Sequence, residues 1–372
     1  MRGIGLLFPG QASQFPGMGK DLHDAYPVAR RTFEEASDAL SLDVAARCFR
    51  GTEEELRMTE NTQPAIFTVS VAAFRVLAAE TGVRPACAAG HSLGEYSALV
   101  AAGVLPLREA VRVLRSRGKY MQEAVPVGEG AMAAILGLST EQVEEACRVG
   151  AALGVVSPAN FNGGGQIVIS GAAKAVAAAC EAAKAAGAKR ALPLPVSAPF
   201  HCALMRPAAD RLAPELRAIP QGPFAFPVVA NVTAGPYGAG EVVADMLIRQ
   251  ITAPVRWEES VMAMRAAGAD AFLEVGPGKV LSGLLRRIEK DVAANRPCAL
   301  ASVSAIGMEA AEVFPYRSRL TKTRSSGIPS RFPTTWMIRR FAWCGMNSFT
   351  SSMRTPFRAS ASPATSTIFK TA

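Results

Sequence analysis

The chain has 372 residues, 49% hydrophobic and 19% charged, the balance of a globular enzyme with one or two domains rather than of a fibrous or disordered protein. Its formal net charge of +9 comes from its end, because residues 313–372 hold ten Lys+Arg and no acid, whereas residues 1–312 hold 30 Lys+Arg against 31 Asp+Glu. A basic pI therefore argues for no nucleic-acid partner of the main body, and no uninterrupted apolar run of about 18 residues or signal-peptide cleavage pattern argues for a membrane.

Gly3 to Phe8 is a short apolar run that stops at Pro9-Gly10, as a buried parallel strand does. A glycine-rich loop follows, then a helical pattern over 20–40 broken at Pro27, with His23 on its solvated side. Thr59 opens a second helix with Pro64 in its first turn, and Ile66, Val69, Ala73, Val76 and Leu77 at helical spacing form its buried face. Small apolar residues then run into Gly90-His91-Ser92-Leu93-Gly94, and a helix follows from Glu95. Strand, Gly-x-Ser-x-Gly turn and helix together make a nucleophile elbow.

The helix from Leu107 to about Val125 carries Arg108, Arg112, Arg115 and Lys119 on one face and Ala110, Leu114, Met121 and Val125 on the other. Arg117 falls on the apolar face, where an isolated charge is costly. Two readings stand: an internal salt bridge, or a guanidinium fork kept for an anionic ligand. Residues 129–197 then read strand, helix, strand, strand, helix, strand, the ferredoxin-like order, with strands at 131–138, 155–160, 166–170 and 190–196. After Pro199-Phe200-His201 come a helix from Ala203 to Leu216, a strand over 224–231, helices over 240–250 and 261–267, and a strand ending at Gly276-Pro-Gly278. Alternating strands and helices predict a mostly parallel sheet with the ligand crevice at the strands' carboxyl ends, bringing Gln11, Ser92 and Gly276 to one rim. The last stretch, 306–372, is rich in Ser and Thr, has no sustained periodicity, and reads as irregular, disordered or non-native.

A serine at neutral pH needs a base. The chain offers three histidines; His23 reads as surface and His91 points away from its neighbour, which leaves His201. Between Ser92 and His201 there is no aspartate, so a Ser92–His201 dyad with a neutral group orienting the imidazole fits better than a full triad. Seven cysteines at 48, 87, 147, 180, 202, 298 and 344 lack metal-ligand spacing. They read as reduced thiols of a cytoplasmic protein with no metal or bound cofactor.

These residues resemble the malonyl-CoA:acyl-carrier-protein transacylase family of fatty-acid synthesis, over about residues 3 to 305. The resemblance rests on Phe8-Pro-Gly-Gln-Ala-Ser-Gln14, Asn61-Thr-Gln-Pro-Ala65, Gly90-His-Ser-Leu-Gly-Glu95, Arg117-Gly-Lys-Tyr-Met-Gln-Glu123, Asn160-Phe-Asn162 with Gln166, Pro199-Phe-His201, Gln250 with Pro254-Val-Arg-Trp257, and Glu274-Val-Gly-Pro-Gly278. It implies an α/β-hydrolase-like core over 1–128 and 198–305 with a ferredoxin-like small domain over 129–197. It further implies Ser92 as nucleophile and His201 as general base and acid, with the backbone amides of Gln11 and Leu93 as oxyanion hole. Arg117 would bind the malonyl carboxylate, Gln63 and Asn162 would line the pocket, and the backbone carbonyl of Gln250 would orient His201. Phe200 is similar to malonyl-selective relatives, where bulk disfavours a 2-methyl branch. Ala12 stands where the family more often has glycine. The implied substrates are malonyl-CoA and the phosphopantetheine thiol of acyl carrier protein, used by a ping-pong route through a malonyl-serine, with the enzyme a monomer. A serine esterase or thioesterase on the same Ser-His pair is the alternative, and it requires a carboxylate near His201.

Overall fold

The computed structural model describes residues 3–196, 198–238, 242–292 and 300–302. The expectations for the tail at 306–372 and for the cysteines at 298 and 344 lie outside them. The chain divides into two units, Met1–Ser318 and Arg319–Ala372, and every described residue belongs to the first.

The chain begins with β1 (Gly3–Phe8), then α1 (Lys20–Ala25) and α2 (Pro27–Leu40), parted at Pro27 as the sequence predicts. Two short helices that periodicity did not disclose follow, α3 (Val44–Arg50) and α4 (Glu53–Arg57). Each starts at a side-chain cap, Asp43 and Thr52 respectively. Next come α5 (Thr59–Thr81), β2 (Cys87–Gly90), α6 (Gly94–Ala101) and α7 (Leu107–Glu123). The inserted part is β3 (Gly130–Leu136), α8 (Thr140–Gly150), β4 (Val156–Gly163), β5 (Gln166–Ala172), α9 (Ala173–Ala185) and β6 (Arg190–Pro193). The chain then returns through α10 (Arg206–Arg217), β7 (Val228–Val229), α11 (Val243–Thr252), α12 (Trp257–Ala266), β8 (Ala269–Glu274), α13 (Val280–Val292) and β9 (Leu300–Ser302).

Two sheets result. The first has the order β7-β2-β1-β8-β9, all parallel. Leu6, Phe8 and Ala88 enter the core on one face, and Leu7, Cys87 and Ala89 enter a second core on the other. Burial on both faces explains why these strands read as continuous apolar runs. The second sheet is antiparallel, order β4-β5-β3-β6, the order of a ferredoxin-like unit. Helices α8 and α9 cover one face, while Met132, Ala134 and Val168 on the other join the main core. The fold is an α/β-hydrolase-like core with a mostly parallel sheet and an inserted ferredoxin-like unit.

Several local expectations are corrected. The strand expected over 224–231 contracts to Val228–Val229, since Pro223 and Pro227 supply no N–H to a ladder. Pro64 lies past the first turn of α5, inside the helix. His23 is not solvated: it is half-buried, edge-on to Phe33 and Phe49 at ring distances of 5.6 and 5.1 Å. Helix α5 is long and apolar enough, by length and composition alone, to cross a membrane, which interruption by polar residues hid from a search for unbroken runs. In the fold 78% of its apolar window is buried inside the protein, against α2, α6 and α7.

Candidate active site

The elbow is built by close approach. A Cβ on Gly90 would fall 1.9 Å from the backbone of Gly94, and one on Gly94 would fall 2.2 Å from the Phe8 carbonyl oxygen. Only glycine fits either position. Between them Ser92 is held at φ +52°, a strained backbone that persists because its surroundings enforce it. The Asn231 side chain supplies that enforcement. Its Oδ1 accepts from the Ser92 N–H at 2.7 Å and its Nδ2 donates to the Gly90 carbonyl at 2.7 Å.

His201 also has a positive φ, +59°, which turns its ring from the end of the inserted unit into the crevice. Its Nε2 lies 2.7 Å from the Ser92 Oγ. Its Nδ1 faces two backbone carbonyls, Gln250 at 2.9 Å and Ala253 at 3.2 Å. Carbonyls only accept, so Nδ1 carries the proton and Nε2 presents a lone pair to the serine hydroxyl. Burial, reinforced by the nearby Arg117 cation, pushes the imidazole down to about 3, so it is neutral at physiological pH.

Arg117 settles the question its position raised. It is 2% exposed, and its acceptors are uncharged: Gln63 Oε1 at 2.9 Å, Gln250 Oε1 at 3.0 Å and Ser92 Oγ at 3.1 Å. The guanidinium lies over the Tyr96 ring, 5.7 Å from its centroid, and its Nε has no hydrogen-bond partner. Among the described residues no carboxylate is within ion-pair distance of it, and Glu95 acts on it only at longer range. A desolvated cation held by neutral dipoles beside a nucleophile retains most of its capacity to attract an anion.

A cavity of about 230 Å3 opens in front of these groups. Gln11, Leu93, Gln63, Asn162 and Phe200 line it together with Ser92, Arg117 and His201. Neither the Gln11 nor the Leu93 amide donates to a backbone carbonyl among the described residues. Both residues line the cavity together with Ser92. Asn162 does more than line the wall: its Oδ1 meets His91 Nε2 at 3.0 Å, and His91 packs on Trp257 at 5.5 Å. Burial lowers the His91 pKa, so His91 serves as a neutral strut. Gln250 takes part through its side chain as well as its carbonyl. The inserted sheet supplies the apolar far wall through Met132, Ala134 and Val168.

Of the nine residues chosen from the sequence, Ser92, His201, Gln11, Leu93, Arg117, Gln63, Asn162 and Phe200 line one crevice, and Gln250 is buried, hydrogen-bonded to Arg117 and His201. Sequence reasoning missed Asn231, Glu95 as a buried partner, and the Gln250 side chain. The carboxyl-end rule for parallel strands was the available signal for Asn231, two residues beyond a very short strand.

An elbow serine with a neutral imidazole on its hydroxyl and a buried guanidinium alongside is an arrangement suited to acyl transfer. The comparisons with known proteins agree. The acyl transferase domain family matches residues 6–325. The malonyl CoA-acyl carrier protein transacylase of Escherichia coli (strain K12) is 52% identical over 305 residues, covering 81% of this chain and 99% of that protein. That of Bacillus subtilis (strain 168) is 48% identical over 291 residues, covering 78% and 92%. Among solved structures, the acyl-carrier-protein-S-malonyltransferase of Bartonella henselae is similar with a TM-score of 0.79 at 45% identity, over 84% of this chain and 98% of that one. A malonyl-transacylase in complex with its type II PKS acyl-carrier protein is similar with a TM-score of 0.77 at 49% identity, over 81% and 95%. The chain belongs to the malonyl CoA-acyl carrier protein transacylase family and is an acyltransferase.

Proposed function

We propose that this chain moves the malonyl group from malonyl-CoA to the phosphopantetheine thiol of acyl carrier protein, in two half-reactions through a malonyl-serine. The observation that carries the reading is the buried Arg117 guanidinium, partnered only by neutral groups, 3.1 Å from the Ser92 Oγ. A malonyl carboxylate on that fork places its thioester carbonyl at the serine.

In the first half-reaction His201 Nε2 accepts the Ser92 proton as Oγ bonds to the thioester carbon. The Gln11 and Leu93 amides stabilise the oxyanion. The C–S bond then breaks and the coenzyme A sulfur takes the proton from His201. In the second half-reaction the carrier thiol gives its proton to His201 and attacks the ester carbon; the C–O bond then breaks and Ser92 Oγ takes the proton back from His201. The Gln250 and Ala253 carbonyls hold the His201 tautomer throughout. A carbonyl stabilises imidazolium less than a carboxylate does, which suits a thioester, an activated acyl donor, more than an amide. The ferredoxin-like unit over 129–197 acts as a small domain closing the far side of the pocket of a catalytic core over 1–128 and 198–305.

The esterase alternative required a carboxylate at His201 Nδ1. That atom is taken by two backbone carbonyls, so the alternative loses its distinguishing support. Initial rates with malonyl-CoA and phosphopantetheinylated carrier protein varied together test the proposal. Parallel double-reciprocal lines are expected; intersecting lines, or release of malonate outpacing thiol transfer, would contradict it.

A further inference from the structure

Glu95 is a buried carboxylate that the transfer mechanism does not use. It is 1% exposed and sits three residues beyond Ser92, in the first turn of α6. Its Oε2 accepts from the Gln250 Nε2 at 2.7 Å and from the Asn231 backbone N–H at 3.1 Å. Its Oε1 takes the Tyr237 hydroxyl. Burial pushes its carboxyl up to about 7, against the pull of these hydrogen bonds and of Arg117.

The Gln250 amide is the piece that this carboxylate orients. Gln250 Nε2 donates to Glu95 Oε2 at 2.7 Å, to the Ser92 carbonyl at 3.0 Å and to Asn231 Oδ1 at 3.4 Å. Its Oε1 accepts from Arg117 Nη2 at 3.0 Å. A reversed amide would set its oxygen against three acceptors and its nitrogen against a guanidinium donor, so both ends lose. Glu95 Oε2 is the nearest of those three acceptors. It remains an acceptor in either protonation state, because two N–H groups point at it and a proton on Oε1 would face a hydroxyl able to accept.

We propose that Glu95 is a positioning residue for carboxylate recognition: through Oε2 it fixes the Gln250 amide, and the Gln250 carbonyl oxygen in turn fixes the Arg117 fork beside Ser92. What matters in this arrangement is an acceptor at the Oε2 position, not the charge. Two conservative substitutions separate these. Glu95→Gln keeps an acceptor there, with its amide nitrogen toward Tyr237, and loses the acid. Glu95→Asp keeps the acid and withdraws the acceptor by about one carbon–carbon bond.

The test compares malonyl with acetyl transfer from their coenzyme A thioesters, which rests on the proposed malonyl activity; wild-type turnover of malonyl-CoA checks that reading separately. Glu95→Asp is expected to lower kcat/KM for malonyl by about tenfold or more, mainly through KM, and for acetyl by a factor at least about threefold smaller, since the Asn231 and Ser92 contacts serve both acyl groups but only malonyl uses the fork. Glu95→Gln is expected to stay within about threefold of wild type for both. In an Arg117→Ala background the malonyl-selective loss from Glu95→Asp should vanish. Equal losses for the two acyl groups, or an Asp variant more active than the Gln variant, would overturn the proposal. A crystal structure of Glu95→Asp gives a readout independent of the acyl group: Gln250 withdrawn from Arg117 supports the inference, and Gln250 unmoved on Arg117 refutes it.

Discussion

The two sheets meet at one pocket but contribute differently to it. The parallel sheet brings reactive atoms: Ser92 follows β2, Asn231 follows β7 and Gln11 follows β1, each at a strand's carboxyl end. The antiparallel sheet brings surface: Met132 and Ala134 on β3 and Val168 on β5 form an apolar wall. His201 and Phe200 sit where the chain passes from one to the other. Chemistry is therefore concentrated at the turns beyond the parallel strands, and shape is delegated to the antiparallel sheet.

That division can be broken from the reactive side first. If His201 is the base, replacing it by Ala is expected to cut malonyl transfer by about 10²–10⁴-fold in single-turnover acylation. Arg117→Ala comes next, with a loss of about 2–4 kcal/mol in transition-state stabilisation for malonyl and little for acetyl; a matched loss for both would remove Arg117 as carboxylate reader. On the wall, Val168→Ala should leave acylation chemistry within about tenfold while costing about 1–3 kcal/mol of stability by urea titration. If that variant instead abolishes acylation, the wall does more than shape the pocket.

Smaller effects sharpen the same contrast. His201 has a folded pKa near 3 against an ordinary value of 6.5, so the unfolded chain binds its proton more readily between those values. Its neutral form then costs the fold stability progressively as pH falls from 6.5 towards 3. Urea titrations should show His201→Gln gaining on wild type as pH falls through that window; a constant gap would contradict the depressed pKa. Ala12 has φ +80°, a region where a Cβ is unwelcome. Ala12→Gly should raise stability by about 0.5–1 kcal/mol, read as an increased thermal midpoint. This also accounts for the glycine that the resembling family more often carries there.

Much of the site was legible because its chemistry forces rare patterns. The elbow needs glycines at 90 and 94, Arg117 stands out as a charge on an apolar helix face, and scarcity left His201, which the fold brings to Ser92. The antiparallel unit was legible in element order, although its strands run longer or shorter than periodicity indicated. What stayed hidden depends on long-range packing. Asn231 and Glu95 are 136 residues apart and look like ordinary polar residues locally. Helices α3 and α4 are too short for a 3.6-residue period to declare itself.

The central claim is that Ser92 carries the acyl group while Arg117 reads its carboxylate. Brief incubation with radiolabelled malonyl-CoA alone, followed by peptide mapping by mass spectrometry, tests it most directly. Label on the peptide containing Ser92, discharged by phosphopantetheinylated carrier protein and absent from Ser92→Ala, is the predicted result. Equal labelling of Ser92→Ala, or label that the carrier thiol cannot remove, would contradict it.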